Sequence, residues 1–307
     1  MMKYFWTYLQ ERFPLQANGV LIVSYFTANY FLALGAVLQE RQPLELSWRY
    51  FAGCLALLFM FFHMRVIDEH KDYEQDRIVH PGRVLSRGLI TLPQLRNVGI
   101  IAVVFELLLS ILLGFPAFVM CLVVLAFSWL IYKEFFIGRF LERHLLANAF
   151  IHLLIMPAYC LYVFSVATES FFWLAPLLIL LYAWVSYGVG LGYEVARKTR
   201  APADERPGLI TYSAVMGPYL SVGISLLALL FSGMVSVIVG AAMNFGWWYH
   251  VVVAALLVVV IFGALNFRIK TTSASAANLQ LYAGMFIFAF DILLAVELIR
   301  SYGVIWR

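Results

Sequence analysis

Five of the chain's 17 carboxylates fall within nine residues, from Asp68 to Asp76. Asp68, Asp72 and Asp76 recur every four residues, so they line one face if the segment is helical, with Glu69 beside the first of them. Like charges at this spacing repel one another, so the face is stable only when a cation lies against it. Mg²⁺ is a hard cation that commonly uses one or two carboxylates together with substrate phosphates. The spacing therefore indicates a candidate site for a magnesium-bound phosphate compound.

A solvated acidic face, balanced by Arg65, Lys71 and Arg77, is the alternative interpretation of this segment. Two features of its position favour a functional site instead. The acids directly follow an apolar run that is typical of the end of a membrane helix, and they precede a basic series formed by Arg77, Arg83 and Arg87. The cluster thus lies where a membrane helix meets water.

A second polar segment, residues 193–213, combines three carboxylates with four basic residues. An ordinary cytoplasmic loop accounts for the basic residues but not for the acids Glu194, Asp204 and Glu205. In a shared site, carboxylates would hold cations while Arg and Lys side chains would contact phosphate oxygens directly. Two such segments on one side of a helical bundle would together form a pocket for a metal-bound phosphate group.

The elements that position these residues follow from composition. Of the 307 residues 64% are hydrophobic and only 12% are charged, which excludes an ordinary soluble domain and predicts a single polytopic membrane domain over residues 1–307. Runs of about 18 or more mainly apolar residues predict an all-α integral membrane protein, a bundle of nine transmembrane helices. Their predicted ranges are 18–38, 46–67, 95–114, 116–132, 145–164, 171–193, 214–239, 247–267 and 280–299.

The distribution of basic residues predicts the orientation of the bundle. With the N terminus cytoplasmic and the C terminus outside, 17 of the 21 Lys and Arg residues fall in cytoplasmic segments. The net charge of +4 is then an orientation signal, and we expect no nucleic-acid partner. Residues 1–18 are too polar for a signal peptide and predict a short amphipathic lead-in on the cytoplasmic surface.

The first acidic segment resembles the signature of the UbiA superfamily of intramembrane prenyltransferases. That signature is N-D-x-x-D-x-x-x-D followed by a basic stretch with Pro, Arg and Gly. Asp68 stands at the Asn position, Glu69 at the first Asp position, and the acids Asp72 and Asp76 follow at matching spacing. The basic stretch continues the register with Arg77, Pro81, Arg83 and Gly88.

The second segment is similar to the tail of the superfamily's second acidic motif, in which an acid precedes a Gly and a Thr. Asp204, Gly208, Thr211 and Gly217 fit that tail. The front of the motif differs, because Glu194 is the single carboxylate upstream of Asp204 in this segment. The nine predicted helices agree with the superfamily's fold.

The resemblance implies a transferase in which Mg²⁺ ions hold the diphosphate of an isoprenoid donor while its prenyl group passes to a lipophilic acceptor. This reaction would take place at the cytoplasmic face of a bacterial inner (plasma) membrane. It also implies roles for particular residues, of which Asp68, Asp72, Asp76 and Asp204 would be catalytic. The implied metal ligands are Asp68, Glu69, Asp72, Asp76, Glu194, Asp204 and Glu205. The implied diphosphate ligands are Lys71, Arg77, Arg83, Arg197 and Lys198.

Two other classes of protein use similar residues. A carrier for divalent cations would use the same carboxylates, although transport sites commonly lie near the bilayer midplane rather than at one face. A CDP-alcohol phosphotransferase also uses Asp residues four apart, but the Asp-Gly and Ala-Arg elements of its motif are absent before Asp72. If the protein is a transferase, the sequence does not specify the chain length of the donor. It also does not specify the acceptor, which would be an aromatic or another small lipophilic molecule.

Two further acids, Glu106 and Asp291, fall deep inside the predicted third and ninth helices. Ionisable groups are costly in the hydrocarbon core and are often functional there. We expect each to bind the acceptor or to pair with a partner inside the bundle. His63, one turn before Asp68, is a weaker candidate of the same kind.

Overall fold

The computed structural model describes residues 2–38, 41–206 and 208–307, most of which are helical. The first part of the chain contains α1 (Met2–Arg12), α2 (Leu15–Val37), β1 (Leu44–Leu46), α3 (Trp48–Lys71), α4 (Tyr73–Val79), α5 (Leu92–Leu112) and α6 (Phe115–Tyr132). The middle contains α7 (Gly138–Arg143), α8 (Leu145–His152), α9 (Ile155–Thr168) and α10 (Leu177–Arg197). The last part contains α11 (Tyr212–Met216), α12 (Pro218–Ala242), α13 (Trp247–Lys270), α14 (Ser273–Tyr302) and β2 (Val304–Trp306). Short 3₁₀ turns cover Glu134–Phe136, Phe172–Leu174 and Pro202–Asp204.

Across the described ranges, nine segments are long and apolar enough to cross a membrane: α2, α3, α5, α6, α8 with α9, α10, α12, α13 and α14. The prediction of an all-α membrane bundle with nine spans is therefore confirmed. Two helices start earlier than their apolar runs because polar residues cap them. Thr91 and Gln94 form a capping box before α5, and Thr272 and Ser275 form one before α14.

The fifth predicted span is interrupted, since α8 ends at His152 and α9 begins at Ile155. Pro157 explains the break, because a proline has no N–H to donate to the carbonyl four residues earlier, which belongs to Leu153. The N–H of Met156 bonds that carbonyl instead, at 3.0 Å. The apolar run alone gave no sign of this turn.

Helices α10 and α12 pack closely through small residues, which is typical of helix contacts in membranes. The Ser225 hydroxyl donates to the Gly192 carbonyl at 2.7 Å, and the Ser232 hydroxyl donates to the Val185 carbonyl at 3.1 Å. A Cβ atom at Gly192 would lie 2.5 Å from Leu229 Cγ and 3.1 Å from the Ser225 carbonyl oxygen. This contact fixes the end of α10 that carries part of the second polar segment.

A short two-stranded sheet lies at the other end of the bundle from the acidic segment of α3. Strands β1 and β2 pair in parallel, with Leu44 opposite Val304 and Leu46 opposite Trp306. An ion pair of 2.6 Å between Arg307 and Glu45 extends the contact. The sheet ties the end of the chain to the connection between α2 and α3.

The α10–α12 contact predicts that Gly192→Ala destabilises the protein. The added methyl group has no space against Leu229 and the Ser225 carbonyl, and such overpacking costs about 1–3 kcal/mol of unfolding free energy. Thermal unfolding of the detergent-solubilised protein should show a lower midpoint. Gly223→Ala on α12 is the matched control, because a Cβ there meets nothing within 4 Å. An unchanged midpoint for Gly192→Ala would contradict the packing described.

Candidate active site

The acidic segment is helical but bends at Asp72. Helix α3 ends at Lys71 and α4 begins at Tyr73, with Asp72 between them at φ −92° and ψ 3°. One-turn hydrogen bonds still run across the bend, from the Asp72 N–H to the Asp68 carbonyl at 2.9 Å and from the Asp76 N–H to the Asp72 carbonyl at 2.8 Å. The three aspartates therefore follow one another at intervals of one helical turn, as their spacing predicts.

Two of the four acids predicted to bind metal in the first segment form ion pairs with arginines. Glu69 is 2% exposed, and its Oε1 accepts from Arg12 Nε at 2.5 Å and from Arg65 Nη2 at 2.8 Å. Asp76 Oδ2 accepts from Arg12 Nη2 at 3.0 Å and from Arg83 Nη1 at 2.6 Å. Both carboxylates are thus neutralised by cations of the chain itself.

Asp68 and Asp72 differ from these two acids. Within the described ranges, neither side chain takes part in a hydrogen bond or an ion pair, and Asp72 is exposed whereas Asp68 is half-buried. Partial desolvation by the surrounding helices raises the pKa of Asp72, and the charges of Lys71 and Lys198 oppose that rise. Two carboxylates one turn apart are therefore free to bind a cation.

The acids of the second segment hold their own loop together. Glu194 forms ion pairs with Arg197 at 2.6 Å and Lys198 at 2.8 Å. Glu205 accepts from the hydroxyls of Thr211 at 2.8 Å and Ser213 at 2.6 Å. Thr211 is also the N-cap of α11, so this contact fixes how the loop enters that helix.

Asp204 links the second loop to the start of α14. Its Oδ1 accepts from the Ser273 hydroxyl at 2.8 Å. Asp204 is half-buried, and Ser273 is the first residue of α14. The carboxylate therefore joins two connections at the same end of the bundle.

The two polar segments meet at one end of the bundle. Gln75 Nε2 donates to the Gly208 carbonyl at 3.3 Å, which joins α4 to the second loop. The positive charge of Lys198 opposes the rise in the pKa of Asp72. A third connection also reaches this place, because Lys71 Nζ lies 3.6 Å from Glu134 Oε1. These contacts place the two polar segments at the same end of the bundle.

The predicted phosphate ligands fall into two groups. Arg83, Arg197 and Lys198 are engaged by Asp76 or Glu194. Arg77 is exposed and has no polar partner in the part of the chain that the structure describes, and Lys71 has a single long ion pair. Among the predicted phosphate ligands, Arg77 and Lys71 are thus the least engaged by carboxylates.

Sequence reasoning did not identify Arg12 as a site residue. It lies on α1 and bridges Glu69 and Asp76, 57 and 64 residues further along the chain. Glu11 accepts from the Val84 N–H at 2.9 Å, and the ring of Phe13 packs edge-on against Phe62 at 5.4 Å. A basic residue at the end of an amphipathic helix was the available signal, but the fold alone shows what it contacts.

A formed metal cage is not present in the described ranges, since no three His, Cys, Asp or Glu side chains are grouped closely enough to hold an ion. Asp68 and Asp72 nevertheless supply two unpaired hard oxygen donors. This is the donor set that Mg²⁺ uses when substrate phosphates complete its coordination. The residues present therefore fit a magnesium ion bound together with a phosphate compound.

Comparisons with known proteins identify the family and the fold of the chain. A family model for the UbiA prenyltransferase family matches residues 28–290. A structure of digeranylgeranylglyceryl phosphate synthase is similar over 97% of this chain and 99% of that chain, with a TM-score of 0.67 and 16% identity. The apo structure of a UbiA homologue from Aeropyrum pernix K1 is similar over 90% and 98%, with a TM-score of 0.66 and 14% identity. No curated protein matches the chain.

The contacts of α1 predict that Arg12→Gln loosens this helix. The substitution removes charge-assisted hydrogen bonds to two carboxylates, a loss of about 1.5 kcal/mol or more. Backbone hydrogen exchange in residues 2–12 should become roughly tenfold faster or more. Arg96→Gln is the control, because Arg96 is exposed on α5 and no described residue pairs with it. Equal exchange in both variants would mean that Arg12 does not anchor α1.

Proposed function

The chain belongs to the UbiA prenyltransferase family, and on this basis we propose a Mg²⁺-dependent transfer of a prenyl group from an isoprenoid diphosphate to a lipophilic acceptor. Family membership makes the protein a membrane prenyltransferase, and members of the family generally use divalent metal ions. We propose in addition that the metal is Mg²⁺, that the reaction takes place at the cytoplasmic face, and that individual residues have the roles given below.

One observation carries the assignment of the metal ligands. Of the seven acids predicted to bind metal, only Asp68 and Asp72 have neither a hydrogen bond nor an ion pair to another described residue. An unpaired carboxylate keeps its full negative charge for an incoming cation, whereas one that is paired must first lose its partner. We therefore assign the principal ligands as Asp68 and Asp72. Bound Mg²⁺ would supply Lewis-acid stabilisation of the charge that develops on the leaving diphosphate.

The remaining acids have supporting roles in this proposal. Asp76 and Asp204 border the site and stay candidate ligands, because each has polar partners that a cation would have to replace. Glu69, Glu194 and Glu205 hold basic side chains and hydroxyls in place around the site. Such groups fix the orientation of the ligands that they support.

The cations at this end of the bundle would bind the diphosphate. Arg77 is free to contact phosphate oxygens through paired donors, and Lys71 can do so as a point charge. Lys198, Arg197 and Arg83 add positive charge while remaining paired to carboxylates. Fixed positive charges around the leaving group stabilise the charge that accumulates there during bond cleavage.

An open, mainly apolar groove on the outer surface of the bundle suits the isoprenoid chain. It lies between α2 and α14 and has a volume of about 500 Å³. Gly19, Val23, Phe288, Ile292 and Ala295 are among the residues that line it. A hydrocarbon chain would lose no hydrogen bonds by lying against these side chains.

The assignment predicts that Asp72→Asn strongly reduces the release of diphosphate. The protein would be incubated with Mg²⁺, an allylic diphosphate and a membrane-extract acceptor pool, and diphosphate release and prenylated products would be measured. We expect a loss of about 100-fold or more, as for other groups that stabilise developing charge. Asp68→Asn should behave similarly, and EDTA should abolish release by the wild-type protein.

Glu74→Gln is the matched control, because Glu74 is an exposed acid of the same segment without a described partner. Its activity should equal that of the wild type. Diphosphate release that survives in Asp72→Asn would contradict the assigned mechanism. Uptake of Mn²⁺ into sealed vesicles that depends on Asp72, without prenylated product, would support a divalent-cation carrier instead.

A further inference from the structure

A second cavity, of about 80 Å³, lies inside the bundle between α2, α3, α9, α10 and α14. Its walls are mainly apolar and include Phe61, Met156 and Phe290. The polar side chains that line it are those of Tyr25, Tyr182, Ser186 and Asp291. Apolar walls with a few polar groups are typical of sites for small molecules, in which the polar groups fix the ligand's orientation.

Asp291 is the unusual member of this lining. It is 6% exposed, it lies within α14, and its one hydrogen bond to a described residue comes from the Tyr182 hydroxyl at 3.3 Å. A carboxylate has room for about four hydrogen bonds, and a buried one is costly when most of that capacity is unused. The contacts within the bundle therefore do not account for this acid.

The other three acids buried in the spans contrast with Asp291, and one of them, Glu69, pairs with Arg12 and Arg65. Glu106 pairs with His63 at 2.6 Å, and His63 in turn contacts the Ser128 hydroxyl at 3.0 Å. Glu297 is held by Arg300 at 2.8 Å and by the Gly246 N–H at 2.8 Å. Glu106 also has one oxygen, Oε2, without a hydrogen bond, but it does not line this cavity. Asp291 has no comparable basic partner among the described residues, and its carboxylate lines the cavity.

The cavity lies close to the proposed diphosphate site. Phe61 on its wall precedes Asp68 by seven residues of α3, which is about 10 Å along a helix. Val189 on its wall precedes Glu194 by five residues of α10. A molecule in the cavity would thus lie on the apolar side of the site that holds the diphosphate.

We propose that Asp291 binds a hydroxyl group of an uncharged acceptor in this cavity, an inference that rests on the proposed function. A hydroxyl can donate a hydrogen bond to an ionised Asp291 or accept one from a protonated Asp291, whereas a carboxylate or phosphate on the acceptor is repelled by the ionised form. The volume exceeds the roughly 30 Å³ of one water molecule and suits the hydroxylated end of a ring. Neutral phenols and hydroquinones therefore fit this site, and aromatic acids and sugar phosphates do not.

The competing explanation is that Asp291 and Tyr182 only tie α14 to α10. The ring of Tyr182 also stacks on Phe290 at 6.5 Å, so Tyr182 contributes to that contact by packing. A purely structural pair would affect stability but would not discriminate between neutral and anionic small molecules. The preference for one charge type over the other is therefore the property to measure.

The test measures binding by the full-length protein in lipid nanodiscs, without donor and without Mg²⁺. The probes are hydroquinone, whose polar groups are neutral hydroxyls, and benzoate, whose polar group is a carboxylate. Dissociation constants come from ligand-observed NMR titration. We expect the wild type to prefer hydroquinone at least tenfold, and Asp291→Asn to reduce that preference at least tenfold, which corresponds to about 1.4 kcal/mol.

Two further variants separate binding from structure. Tyr182→Phe breaks the tie between the helices but leaves the carboxylate, so the preference should stay within threefold of the wild type. Ser165→Ala is the control, because Ser165 is buried on α9 and does not line the cavity. A wild-type protein that binds neither probe, or that prefers benzoate, overturns the inference without any variant. An unchanged preference in Asp291→Asn does so as well.

The same preparations distinguish this inference from the proposed function. Diphosphate release is measured separately with Mg²⁺ and an allylic diphosphate. Release without a hydroquinone preference would overturn the role of Asp291 alone. A preference that depends on Asp291, in a protein that releases no diphosphate, would support the binding site and contradict the proposed reaction.

Discussion

The neutralisation of carboxylates at the end of an apolar bundle is the constraint on which the structure of the site depends. A partly buried carboxylate is costly unless a cation or hydrogen-bond donors face it. Arg12 and Arg65 face Glu69, Arg12 and Arg83 face Asp76, and two cations of α10 and its C-cap face Glu194. Asp68 and Asp72 have no such partner in the described ranges. Of the seven acids predicted to bind metal, the other five are each paired with a cation or a hydroxyl group of the described chain.

Helix α3 connects the features that the proposed reaction needs. Its first turn follows the strand that pairs with the end of the chain, and its last turn carries Asp68 and Glu69. Between them, His63 joins α5 and α6 through Glu106 and Ser128, and Phe61 lines the interior cavity. A single rigid helix thus positions the metal ligands relative to the apolar space where an acceptor would lie.

The fold was largely predictable from the sequence because membrane helices are specified by the length of apolar runs. The errors have local causes. A search for apolar runs does not detect the polar N-caps Thr91 and Thr272, so it places the starts of α5 and α14 too late. It also does not detect the break at Pro157, which lies inside the apolar run of the fifth span. These features depend on particular side chains rather than on average hydropathy.

The spacing of the acids predicted a candidate site at the end of α3 but did not predict which acids have no partner. That distinction depends on contacts between residues far apart in the chain. Arg12 reaches Glu69 across 57 residues, and Ser273 reaches Asp204 across 69. Glu205 was also predicted to bind metal, but in this structure hydroxyls of its own loop surround it. The spacing of residues along the sequence does not indicate which distant residues pair. These contacts could be identified only in the three-dimensional structure.

The central claim is that Asp68 and Asp72 are the carboxylates that receive the metal. The most direct measurement is a crystal structure of the protein with Mn²⁺ and an unreactive isoprenoid thiodiphosphate, with anomalous scattering used to locate the ions. We predict an anomalous peak in contact with both Asp68 and Asp72, with Glu69 still paired to Arg12. A peak coordinated by Glu69 and Asp76 after displacement of Arg12, with Asp68 and Asp72 left free, would contradict the account.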